Sequence, residues 1–210
     1  MIMKSLFSNI VALLLMFLCT GVCAQKSVVN VESGSISVLR QHKAVCMEWD
    51  YSNTQIVEFK HNGKDYTEAM TLDEYLKQRG DDFVRDWPKD HQYAEGLFAS
   101  FFNQRVSKKY NALYFESGSE YNQQGKDYKM LIHVDRLDWG NMNSFVNPMA
   151  MPKSGGAIFD GSIEIINLST GETECVLRAF VKGTGSLQDR SRLAFAYMEM
   201  VNQIRGIVKK

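Results

Sequence analysis

Between Ala44 and Tyr51 the chain alternates strictly, with Val45, Met47, Trp49 and Tyr51 on one side of an extended backbone and Cys46, Glu48 and Asp50 on the other. A period of two over that length predicts a strand with one buried face. "KDYKMLIHVDRLDW" repeats the pattern, placing Tyr128, Met130, Ile132 and Val134 together. "FDGSIEIINL" and "ETECVLRAFV" flank Ser169-Thr170-Gly171, a hairpin signal centred on the glycine, and "ALYFES" adds a short strand. Residues 25–42 are mixed, with a β-prone piece from Ile36 to Leu39, and Asn62-Gly63 marks a turn.

Helical spacing begins at Thr71-Leu-Asp-Glu74, which reads as a capping box. Leu72, Leu76, Phe83 and Trp87 continue it until Pro88, which is expected to end this first helix. Gly80, within that run, costs about 1 kcal/mol relative to Ala. A second helix is expected from near Asp90, with Tyr93, Leu97, Phe98, Phe101 and Phe102 on one face and Lys108 and Lys109 at its end. A last helix runs from about Gln188 to Val208 on Leu193, Tyr197, Met200, Ile204 and Val208. The order predicts an α/β (α+β sandwich) fold. It is a single domain over 25–210, a mixed β-sheet of about five strands packed with about three helices.

The apolar run Ile10 to Leu18 follows Lys4 and is too short to span a bilayer. It reads as a signal-peptide core, and Val22-Cys23-Ala24 suits ordinary cleavage after Ala24, so residues 1–24 are expected to be removed. Neither Cys19 nor Cys23 has the small residue before it that lipidation requires, so no lipid anchor is expected, and no transmembrane segment remains in the mature chain. The chain is thus expected to be exported, to the periplasm or beyond. With 24 basic and 24 acidic residues and no basic block, it carries no electrostatic footprint for nucleic acid.

Cys46 and Cys175 survive processing and form a candidate disulfide for an oxidising compartment. Closing so long a loop would stabilise by roughly 4–5 kcal/mol in the chain-entropy account. Periodicity opposes the bridge: Cys46 falls opposite Val45 and Met47, while Cys175 falls with Leu177, Ala179 and Val181, which favours two separate buried thiols.

Chemistry is sparse. The four histidines (His42, His61, His91 and His133) show no metal-protease spacing, and no nucleophile elbow, phosphate loop or dinucleotide pattern occurs. His133 and Asp135 alternate onto one strand face, "RGDDFVRDW" concentrates charges that pair at helical spacing, and "KGTGS" could face an anion. Each reads more simply as a solvated face or a loop, so no catalytic, cofactor-binding or metal-binding residue is assigned. The long connection Trp139 to Gly156 differs, because it carries Trp139, Met142, Phe145, Val146, Met149 and Met151. Apolar residues of that kind either cover the domain's own core or meet a partner. Trp139, Met142, Phe145, Met149 and Met151 are therefore the candidate interaction residues.

"KAVCMEWDYSN", "DYKMLIHVDRLDWGN", "GAIFDGSIEIINLSTGETECVLRAF" and "RSRLAFAYMEMVNQI", in that order, resemble bacterial envelope domains such as those of the curli-secretion lipoprotein and the penicillin-binding-protein activator lipoproteins. The resemblance covers roughly residues 43–205, and its one motif is Ser169-Thr-Gly-Glu172. It implies a non-catalytic domain that works through contacts, a protein-interaction or assembly module whose partner is another envelope protein. The alternatives are a small-molecule binder, or a hydrolase, with a pocket under the 139–156 loop.

Overall fold

The computed structural model describes residues 26–59, 66, 69–140, 156–186 and 189–210. The signal-peptide run, the Asn62-Gly63 turn and the loop residues Met142, Phe145, Met149 and Met151 lie outside them. The strands are β1 (Val28–Gly34), β2 (Ala44–Asp50), β3 (Gln55–Ile56), β4 (Met70–Thr71), β5 (Tyr114–Phe115), β6 (Tyr128–Asp138), β7 (Ile158–Asn167) and β8 (Thr173–Lys182). Helices α1 (Leu72–Arg79), α2 (Asp81–Phe102) and α3 (Asp189–Val208) complete a single α+β domain.

The sheet runs β1-β8-β7-β6-β2-β5; β3 continues the line of β2 along β6, and β4 lies outside β3. From β1 to β6 neighbours are antiparallel, whereas β2 and β5 run parallel to β6 and β2 respectively. Register places Met47, Met130, Ile165 and Cys175 in one row across four strands. That row belongs to the face covered by α2 and α3, where Trp49 stacks on Tyr197 and meets Phe98 edge-on. The α3 stripe Leu193, Tyr197, Met200, Ile204 and Val208 is buried against it. The alternation read in β6 is therefore the alternation of its burial.

Cys46 and Cys175 are both buried and free, the arrangement that the alternation favoured over a disulfide. Cys46 is paired with Lys129 on β6 and so faces away from the row that holds Cys175. The two strands also stand three places apart, about 14 Å at usual strand spacing, whereas a disulfide needs Cα atoms within about 7 Å. Burial raises both thiol pKa values above the usual level. Denatured mature protein without reductant is expected to titrate both thiols, and native protein neither; loss of thiol signal in the denatured sample would mean a bridge.

Three expectations shift. Ile36–Arg40 forms a 3-10 helix capped by Ser35, and the strand of this region is β1 just before it. The helix break falls at Gly80, not Pro88: Gly80 adopts φ 105°, which side-chain-bearing residues rarely adopt, so α1 ends there and α2 begins. Pro88 lies inside α2, two turns from its start, and the helix continues through it. Among the described residues the sheet also has eight strands where about five were expected, since β1, β3 and β4 carry no clear alternation.

Two close approaches fix α3 on the sheet. Beyond β8, Gly183 lies so near α3 that a Cβ there would stand 2.5 Å from the Ala196 amide nitrogen. A Cβ on Gly156, ahead of β7, would meet the Gly183 carbonyl oxygen at 1.7 Å. At the other end, α2 widens into a π-helical turn, Asn103–Ser107. The Asn103 side chain there bonds both the N–H (2.9 Å) and the carbonyl (2.6 Å) of Phe115, tying the helix to β5.

Candidate functional site

The edge of the sheet beyond β2 is only partly filled. β5 pairs with Ala44 and Val45, and β4 pairs with β3 at Gln55 and Ile56. Between them no strand among the described residues meets β2. Ala44 sends its carbonyl towards β6, where Asp127 N–H donates to it at 3.0 Å. Alternation then turns Val45, Met47 and Trp49 outward. Met47 N–H donates to the Glu120 carbonyl at 2.6 Å, but the Trp49 N–H and carbonyl have no hydrogen-bond partner on this edge among the described residues.

Two hollows meet there at Tyr51. One, of about 350 Å³, is lined by Trp49, Tyr51, His91, Gln92, Glu95 and Tyr121 among others. The other, of about 500 Å³, lies between the 52–55 turn, the start of α1 and Trp87. Both volumes fall within the span typical of ligand sites.

At the floor of the first hollow is Glu95, 3% exposed on α2. Its carboxylate accepts from the Tyr51 hydroxyl (2.9 Å), the Tyr121 hydroxyl (3.1 Å) and His91 Nδ1 (2.7 Å). A carboxylate only accepts, so Nδ1 carries the proton. Tyr51 has one proton and gives it to Glu95, so Tyr197, 2.9 Å away, donates to Tyr51. Burial pushes Tyr51 and Tyr197 well above the usual phenol value; burial, with Glu95 beside it, does the same to Tyr121. All three hydroxyls therefore stay protonated donors at neutral pH. Such a network is what a buried carboxylate needs to remain buried. Nearby, Glu120 Oε2 is buried with no hydrogen-bond partner among the described residues.

His91 is thus an imidazole oriented by a carboxylate and flanked by the Tyr51 and Trp87 rings at 5.3 and 5.1 Å. The residues lining this hollow include no Ser, Thr or Cys that such a pair could activate. The site presents aromatic walls, a buried carboxylate and the Trp49 backbone groups that have no partner among the described residues.

Of the residues singled out from sequence, Trp139, His133, Asp135 and Arg85 are described and lie elsewhere. Trp139 points inward, 9% exposed, with its ring 5.5 Å from Tyr75 and 5.4 Å from Trp87. It contributes to the core, because Arg192 on α3 holds its carbonyl at 3.0 Å and that of Gly140 at 2.7 Å. His133 lies on the sheet face away from the helices, between Asp50 (3.0 Å) and Glu164 (3.3 Å). Asp135 instead pairs with Arg178, which also binds Asp160. Arg85 pairs with Asp82 and Asp86 on an exposed helix face, as the spacing implied. The sequence signal for the groove was His91 and Glu95, four apart on one helix; their partners Tyr51, Tyr121 and Tyr197 come from distant segments.

No family model matches the chain, and no curated protein matches it. Among solved structures, a point variant of PelC from Paraburkholderia phytofirmans, a dodecamer, is similar at 13% identity and a TM-score of 0.41, covering 86% of this chain and 98% of that one. Another PelC dodecamer structure from the same organism gives 12% identity and a TM-score of 0.41 over the same shares. A Xanthomonas campestris protein of the family model DUF330 gives 12% identity and a TM-score of 0.30, covering 79% of this chain and 80% of that one. At that level the similarity extends to no shared site. No described helix is long and apolar enough to cross a membrane.

Proposed function

We propose that the mature chain is an exported, non-catalytic α/β domain, periplasmic or secreted, that acts as a protein-interaction module on another envelope protein. Its export rests on the Ile10 to Leu18 run and the cleavage pattern at Ala24. The observation that carries the contact role is the open stretch of β2 edge, walled by Trp49, Tyr51, His91 and Tyr121. Trp139 of the candidate loop packs inward, and among the described residues the groove is the surface that supports a contact role. A small-molecule binder is the second reading, favoured by polar groups converging on a hollow of about 350 Å³.

A photoreactive residue at Gln92 or Gln123, both exposed at the groove, would be compared in intact cells with one at Lys209 on the end of α3. One discrete protein adduct from the groove positions and none from Lys209 is the expected result. No adduct, or the same adducts from all three positions, would sink the module reading.

A further inference from the structure

Resting on that contact reading, we infer that the groove takes an extended peptide segment of the partner, which adds a strand to the free edge of β2 and places a basic side chain towards Glu95. The sheet edge is occupied at both ends, by β5 against Ala44 and Val45 and by β4 against Gln55 and Ile56; between them Met47 N–H meets the Glu120 carbonyl, and at Trp49 the edge is open among the described residues. An occupant in line with those strands meets the N–H and carbonyl of Trp49, which have no partner among the described residues and are spaced as an extended backbone pairs them. Alternation of the added strand turns every second side chain towards α2. There it meets the Trp49 and Tyr51 rings and the Glu95 carboxylate.

The charge at that point favours a cation. Glu95 is buried, and the Glu120 carboxylate nearby has an oxygen that is buried without a hydrogen-bond partner among the described residues. The described residues that line the groove include no Lys or Arg. A Lys or Arg of the peptide brings a charged donor to these carboxylates, including the one that Glu120 Oε2 lacks among the described residues, and aromatic faces favour its charge further. Tyr121 is 49% exposed while its hydroxyl rests on Glu95, so it lies where an incoming side chain would take its place.

The test is selection of random 12-residue peptides displayed on phage against the mature protein, followed by synthesis of the enriched sequences. The expected result is a recurrent Lys or Arg, together with slowed hydrogen exchange at the Trp49 amide on binding. Norleucine in place of the basic residue should weaken binding by about tenfold or more, the scale of losing one partner of a buried charge pair. N-methylation of the peptide amide facing β2 should do the same while leaving the protein untouched. Glu95→Gln should abolish the preference for the basic residue, and the peptide variants keep the test decisive if that protein variant unfolds. Peptides that bind without protecting Trp49, or that tolerate both changes, overturn strand addition and leave the contact reading standing. Failure to enrich any peptide, while the groove crosslink persists, also overturns it and points to a folded partner surface. Loss of both signals removes the contact reading as well.

Discussion

Gly183→Ala should destabilise the domain by about 3 kcal/mol or more, the upper end for forcing extra volume into a packed interior. The reason is specific: the added carbon would stand 2.5 Å from the Ala196 nitrogen and 2.9 Å from the Phe195 carbonyl carbon, both backbone atoms of α3. A side chain could swing aside, but a helix backbone must move as a body, drawing Tyr197 and Met200 from the core. For a domain of this size the loss corresponds to a fall of roughly 6–12 °C in Tm, read by circular dichroism. Gly206→Ala is the internal comparison, because Gly206 is exposed on the same helix and nothing lies within 4 Å of its added carbon. There the same change should stabilise by about 0.5–1 kcal/mol. Equal effects at the two positions would mean that α3 does not sit against Gly183 as described.

Arg192→Met should cost about 3–5 kcal/mol in urea unfolding, from two hydrogen bonds made by a charged group. Arg192 is 2% exposed, and its Nη1 serves the carbonyls of Trp139 and Gly140. Methionine fills similar space but leaves both acceptors without that donor. Burial lowers the Arg192 pKa from its ordinary value, the mark of a charge kept in the interior by what it bonds. Arg192→Lys, a cation without the fork, should recover part of the loss. A methionine variant as stable as the parent would show that the arginine does not clamp the end of β6.

Much of the sheet was legible because most of β6 and β8, and β7 from Gly161 onward, bury one face and leave the other half-buried, so composition alternates as burial does. β1 was not: of its seven residues only Val29 is buried, and Val28 and Val31 stand exposed at an edge. Edge strands are specified by the strand they join, and for β1 that is β8, remote in sequence. Pro88 misled for a related reason. A proline is a strong local signal, but glycine at φ 105° is a stronger one, and only the fold reveals that angle. The groove was the least legible part. The His91 and Glu95 spacing is ordinary on any helix; what makes it a site is Tyr51 and Tyr121 arriving from the strand and loop opposite.

The pairing of β1 with β8 also dictates a sequence of events. Ser27 and Lys182 bond each other across 155 positions of chain. A polypeptide that emerges amino end first therefore has its first strand available long before the strand that will receive it. Until β8 arrives, Val28, Val29 and Val31 form an unclaimed adhesive segment on a nascent chain, the kind that chaperones bind. The β6–β7–β8 meander can assemble from neighbours alone, so it is the natural nucleus. Closure by β1 is the pairing of greatest sequence separation in the described sheet, so it waits on the far end of the chain.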